Sequence, residues 1–311
     1  MKFFNKNIKH DREFIELQTK LNFSYWIASD IDHFYESNKK NINKYEFMKL
    51  TKQYQKSLDM FNSVDIEGSN ISTEHKSALY ALRAFVKSCI ELCDIKDDRS
   101  LLDSETFEIN ILQTIQIEKE FHKIFLSYLH PDEMEAFIIK SYVFFEKGCE
   151  LLTKLISETE LNNQEQIKKL SEKILMNFKN SREVLDQALS NTNTFELMLD
   201  ELSIITKGDL TEADVKDFSN LNTDYIKYWK EHVMAYERYC LNLLNEDEEG
   251  GCHLEVLDFE INNYLGFINI LAIKLNKFVL SKLDAQIPSL EVYSKRVVKS
   301  PVDYIENKRI H

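Results

Sequence analysis

The chain has 311 residues, of which only 6 are Gly and 3 are Pro, and its formal net charge is −13. Because tight turns need Gly or Pro, this shortage argues against Rossmann and P-loop folds, β-sandwiches and other turn-rich architectures. A hydrophobic content of 43% argues against disorder, and the acidity disfavours nucleic acid and anionic membranes as partners because both repel negative charge.

Start signals and hydrophobic periodicity predict about nine long helices. Asn43 and Ser72 have the side chains of N-caps, Pro131 suits the first position of a helix, and Thr194 is a further candidate cap. The predicted starts lie near residues 11, 43, 71, 104, 131, 162, 194, 223 and 253.

Glycine and asparagine residues predict where helices end or are interrupted. Gly68 and Gly208 are expected to end helices, and Asn222 with Thr223 is expected to interrupt one. Nearly equal helix lengths and short links favour antiparallel neighbours. The sequence therefore predicts an all-α fold, with one elongated helical bundle or two packed bundles and no sheet.

No Pro/Gly/Ser-rich linker divides the chain, and the polar stretch 158–166 is the best candidate boundary. It predicts an N-terminal bundle over 1–160 and a C-terminal bundle over 161–284, with a single domain as the alternative. Residues 285–311 form a basic tail that contains Pro288 and Pro301.

Cysteine usage and the lack of a recognisable targeting segment favour a cytoplasmic location. The five cysteines contain no Cys-x-x-Cys pair, and the basic N-terminal residues lack the apolar core of a signal peptide. The apolar stretch 265–280 contains Lys274 and Lys277 and is expected to be too short to span a bilayer.

Three Glu-x-x-Asp turns offer an enzymatic alternative, and the candidate metal ligands are those of the last two. Glu91 with Asp94, Glu183 with Asp186, and Glu255 with Asp258 each place two carboxylates on one helical face. Helical nucleotide pyrophosphohydrolases bind Mg²⁺ with such turns, because Mg²⁺ prefers carboxylate oxygens. The alternative hypothesis is therefore a helical metal-dependent hydrolase.

Two histidines are candidate metal ligands because each has an acid on the same helical face. Asp30 precedes His33 by three residues, and Glu118 precedes His122 by four. A dimetal bundle needs two matching Glu-x-x-His turns, and the sequence has no second match. We therefore expect His33 and His122 at helix interfaces or in contact with solvent.

Acidic residues concentrate in two regions that suit a basic protein partner. The stretch 183–217 has nine acids against two lysines and includes Glu196, Asp200 and Glu201. A continuous run precedes the glycine pair at 250–251 and consists of Glu246, Asp247, Glu248 and Glu249. Complementary charge speeds encounter and selects partners.

The interpretation favoured by the absence of catalytic motifs is a non-enzymatic protein-interaction module without a cofactor. An immunity protein, an antitoxin or a regulatory protein whose acidic face binds a basic protein would fit this pattern. No particular oligomeric state is predicted. Neutralising the four-acid run is expected to change the free energy of unfolding by no more than about 1 kcal/mol.

Overall fold

The computed structural model describes residues 12–38, 41–93, 104–160, 164–244 and 250–283. Helices hold 89% of these residues, and no strand lies among them, so the all-α prediction is confirmed. In chain order, the helices in these ranges are α1 (Arg12–Asn38), α2 (Lys44–Asn62), α3 (Thr73–Leu92), α4 (Ser104–Tyr128), α5 (Met134–Glu160), α6 (Gln164–Ser190), α7 (Thr192–Ile205), α8 (Glu212–Leu244) and α9 (Gly250–Lys282).

Two predicted N-caps are confirmed. The Asn43 side chain accepts a hydrogen bond from the backbone N–H of Glu46 at 3.0 Å, and the Glu46 carboxylate accepts one from the N–H of Asn43 at 3.3 Å. The Ser72 hydroxyl accepts from the N–H of His75 at 3.1 Å. These local exchanges satisfy N–H groups that the first turn of a helix leaves unpaired.

The predicted start of α5 at Pro131 is wrong by three residues. The backbone N–H of Glu133 donates to the carbonyl of His130 at 2.9 Å, and the Glu133 side chain accepts from the N–H of His130 at 3.0 Å. These bonds close a separate turn, so α5 begins only at Met134.

The predicted cap of α7 at Thr194 is also wrong. Asn191 is the N-cap, because its side chain accepts from the N–H of Asn193 at 2.9 Å. Thr194 lies inside the helix and is only 1% exposed. Its inward orientation removes it from the capping position.

The interruption predicted at Asn222 and Thr223 does not occur, and α8 is continuous. The Asn222 amide donates to the carbonyl of Phe218 at 2.9 Å, four residues earlier. This bond lets the side chain remain in a helix interior, although asparagine usually favours caps and turns.

Glycines mark the helix ends less uniformly than predicted. Gly208 follows the end of α7 as expected, with φ of 81° and an N–H that donates to the carbonyl of Ser203. This φ lies in the left-handed region that glycine adopts at little cost. By contrast, α2 ends at Asn62, well before Gly68, and α9 already begins at Gly250.

Consecutive long helices pack as antiparallel neighbours where direct contacts show their register. The Ser57 hydroxyl of α2 donates to the Ser24 carbonyl of α1 at 2.6 Å, and the Ser141 and Ser181 hydroxyls of α5 and α6 are 2.8 Å apart. In each pair, the two residues are separated by nearly the same number of residues from the segment that connects their two helices. Antiparallel packing produces this symmetry.

The buried side chains form two large clusters and a smaller one. The first is built mainly from α1, α2, α3 and α4, and the second from α5, α6, α8 and α9. The smaller cluster joins α7 to both ends of the chain's described part through α1, α8 and α9. The division at residue 160 stays a prediction, and the tail 285–311 lies outside the described residues.

The last helix is longer than the apolar stretch identified in the sequence. Residues Leu254–Lys282 are long and apolar enough to cross a membrane by length and composition alone, so the expectation drawn from 265–280 underestimated this segment. In the structure, α9 packs along α1 and α8, with Ile268 and Leu280 fully buried.

Candidate protein-interaction surface

The inner side of α7 packs on the smaller core cluster. Met198, Leu202 and Ile205 are buried together with Ile15 of α1 and Phe218 of α8. Their spacing of four and three residues places them on one helical face. This burial fixes which side of α7 remains outside.

Polar contacts hold α7 at both ends. At its start, the side-chain amides of Asn191 and Asn193 donate to the two carboxylate oxygens of Asp132, at 3.0 and 3.2 Å. At its end, the Arg12 guanidinium donates to the carbonyl of Ile204 at 3.3 Å and to that of the next residue. A cation is favourable there because helix C-termini carry partial negative charge.

The outer side of α7 exposes acidic and aromatic side chains. Glu196 and Asp200 are one turn apart and exposed, and Phe195, about 100° around the helix from Glu196, is 48% exposed. We call Phe195, Glu196 and Asp200 the α7 face. The helix contains no Lys or Arg, and within the described part of the chain neither carboxylate of this face takes part in an ion pair.

The structure separates other predicted acids from this face. Glu201 is half-buried, whereas the three residues of the α7 face are exposed. Asp214 forms an ion pair with Lys282. The hydrogen bonds that Lys282 and Thr211 donate to the Asp214 carboxylate lower its pKa.

The four-acid run lies outside the described residues, so its role stays a prediction. The helix ends on either side of it expose apolar side chains, with Leu241 of α8 at 42% and Val256 and Phe259 of α9 at 53% and 43%. Its members are Glu246, Asp247, Glu248 and Glu249.

The Glu-x-x-Asp turns that begin at Glu183 and Glu255 lie on different helices, and Asp94 of the third turn lies outside the described residues. On α6, Asp186 pairs with Lys230 at 2.6 Å, and Glu183 lies 3.7 Å from a lysine one turn earlier. Glu255 and Asp258 are exposed on α9. Among the residues that the structure describes, no group of three His, Cys, Asp or Glu side chains is placed to hold a metal ion.

The pair Glu118 and His122 lies at the interface of α4 with α5. The ring centroids of His122 and Tyr142 are 5.1 Å apart, and His122 is 8% exposed. Burial lowers the pKa of His122 to about 4. Burial also raises the pKa of Glu118 to about 7, against the opposing effect of its hydrogen bond with Tyr142. In both groups, burial favours the neutral form.

Asp30 and His33 occupy the interior side of α1. Asp30 is 7% exposed, and burial raises the pKa of its carboxyl to about 7. His33 is half-buried beside Gly266 of α9, and burial lowers its pKa. The sequence placed these residues on one face but gave no indication of how deeply Asp30 is buried.

A second exposed face, on α2, was missed by the sequence reasoning. Three large apolar side chains protrude between exposed lysines over the first turns of this helix, with exposures of 66% for Tyr45, 40% for Phe47 and 51% for Met48. The signal was present, because residues 44–56 carry four lysines and a single acid. We call this face the α2 patch; it consists of Lys44, Tyr45, Phe47, Met48 and Lys52.

No known protein family, characterised protein or solved structure shows significant similarity to this chain.

Proposed function

We propose that this chain is a non-enzymatic, cytoplasmic protein-interaction module whose α7 face binds a basic protein partner. An immunity protein, an antitoxin or a regulatory protein would use such a face to recognise and block a basic protein. The run from Glu246 to Glu249 is proposed as a second acidic contact.

The observation that carries this proposal is the unpaired acidic charge of the α7 face. Two acids of other helices, Glu150 and Glu260, have cationic partners, Lys119 and Arg238, each at 2.7 Å. Glu196 and Asp200 have none in the described part of the chain, and their helix contributes no cation. Unpaired surface charge is available to steer a partner of opposite sign.

The fixed position of α7 adds to this argument. A face held at both ends and packed on the core loses little conformational freedom when a partner binds, and a preorganised surface binds more tightly for that reason. The exposed Phe195 supplies apolar area beside the charges, as aromatic residues do in protein interfaces. The metal-dependent alternative has no comparable support.

The test measures equilibrium binding of a synthetic peptide of lysine and alanine. Glu196→Gln with Asp200→Asn removes the charge of the α7 face and should weaken binding about fivefold, the scale expected for two exposed charge pairs. Glu165→Gln with Glu172→Gln is the matched control, because it removes two exposed acids from α6. Equal affinities for the two variants would contradict the proposal.

A further inference from the structure

Two exposed faces of this molecule carry opposite charges and protruding aromatic side chains. The α7 face has Glu196 and Asp200 beside Phe195, and the α2 patch has Lys44 and Lys52. The patch is basic although the whole chain has a charge of −13. Each face therefore has the charge that the other would attract.

The two faces cannot meet within one molecule. The end of α7 contacts Arg12, the first residue of α1, and α7 packs beside Ile15. The α2 patch follows the other end of α1, because α2 begins soon after Asn38. At 1.5 Å per residue, the 27 residues of α1 separate these ends by about 40 Å.

We infer that the chain assembles head to tail, with the α2 patch of one copy bound to the α7 face of a second copy. This inference rests on the proposed function, since it names a basic surface that the α7 face binds. Lys44 and Lys52 are about 12 Å apart along α2, and Glu196 and Asp200 about 6 Å apart along α7. Flexible lysine side chains span that difference.

Burial of apolar area accompanies the charge pairing. Tyr45, Phe47 and Met48 protrude from the α2 patch, and Phe195 protrudes from the α7 face. In a free copy these side chains contact water, and in the assembly they cover one another. The two contact surfaces differ, so each bound copy leaves one free α2 patch and one free α7 face, and assembly continues unless the rotation between copies closes a ring.

The experiment measures the molar mass of the protein in solution by sedimentation. The protein concentration is varied from about 1 µM to about 1 mM, the range in which weak assemblies form. The wild-type mass should rise with concentration. Lys44→Gln with Lys52→Gln, and separately Glu196→Gln with Asp200→Asn, should each shift the rise to concentrations about fivefold higher, the effect of two lost charge pairs. Far-UV circular dichroism verifies that both variants keep the wild-type helix content.

An equimolar mixture of the two variants provides the sharpest test. Each variant retains one intact face, so at concentrations where neither variant assembles alone the mixture should form pairs of one copy of each. Lys168→Gln with Lys169→Gln removes two exposed lysines from α6 and should assemble like the wild type.

Several results would overturn the inference. They are a wild-type chain that stays monomeric throughout, a variant that assembles like the wild type, or a mixture that fails to pair. A different assignment would follow if the wild type bound anionic lipid vesicles without assembling and the α2 variant lost that binding. The α2 patch would then be assigned to a lipid surface. The peptide titration tests the proposed function separately, because the peptide takes the place of the second copy and its binding requires no assembly of the chain.

Discussion

Asp30 is a carboxyl group in the interior of the bundle, and its burial makes stability depend on pH. Its pKa is raised to about 7 in the folded protein, so folding favours the protonated form. This contribution to stability is complete below the pKa of the unfolded chain and is lost as the pH rises through about 7. The loss amounts to about 4 kcal/mol at most.

Asp30→Asn removes this pH dependence. The free energy of unfolding of the variant, relative to the wild type, should therefore increase between pH 5 and pH 8. The measurement is urea unfolding of both proteins across this range, and taking the difference cancels the contributions of other titrating groups. The exposed Asp59→Asn on α2 is the control. A difference that does not change with pH would contradict the assignment.

Helix-capping residues can be predicted from the sequence, whereas the effects of burial on single residues cannot. Asn43 and Ser72 were predicted because a cap depends on its own side chain and the N–H three residues later. The raised pKa of Asp30 was not predictable, because it depends on burial by helices distant in sequence. Thr194 failed as a cap for the same reason, since core packing determined its orientation.

At the scale of helices, Gly148 permits the close approach of α5 and α6. A Cβ added at Gly148 would lie 2.4 Å from a ring carbon of Phe178, which is fully buried. Alanine has the higher helix propensity, but a buried ring held by its neighbours cannot move away without strain.

Gly148→Ala should lower the free energy of unfolding by about 1–3 kcal/mol. Gly266→Ala is the matched control in another helix, where the added Cβ meets only the half-buried His33 ring at 3.3 Å. Chemical denaturation of both variants gives the comparison. A Gly148→Ala protein as stable as the control would show that the Phe178 ring can move to accommodate the added methyl group.

Arg12 joins the ends of α7 and α9. Its guanidinium donates to the carbonyls of Ile204 and Lys282, each at 3.3 Å. Arg12→Ala should cost about 1–3 kcal/mol, because charge-assisted hydrogen bonds to carbonyls at two helix ends are lost. Hydrogen exchange should accelerate most in α7.

Lys20→Ala is the comparison for Arg12, because it breaks only a pair within one turn of the same helix, with Glu16. If α7 exchanged equally fast in both variants, Arg12 would not be what holds this helix in place.

Helix boundaries followed from the sequence only where local bonds determine them. The periodicity predicted most helices, but the turn before α5 and the continuity of α8 depend on how Glu133 and Asn222 direct their side chains. The local preferences of Pro131 and Asn222 are the same whether a helix begins or continues at these residues. In each case the helix boundary was determined by a side-chain hydrogen bond that the sequence pattern does not specify.

For the whole molecule, composition was enough to predict the fold class. With few glycines and prolines the chain can make few tight turns, which favours long helices with few connections. Over the described ranges these helices are α1–α9. The distribution of charge was less predictable. The stretch 183–217 was recognised as acidic, but packing determines that Glu196 and Asp200 remain available while Asp214 is paired.

The central claim is that the α7 face attracts basic protein surfaces. Its most direct test is the association rate of the lysine–alanine peptide, measured as a function of salt concentration. Salt screens long-range attraction over about 10 Å at 0.1 M. The wild-type rate should fall steeply with salt, and Glu196→Gln with Asp200→Asn should flatten that dependence, whereas the α6 control should not. Identical salt dependence in the wild type and the α7 variant would contradict the claim.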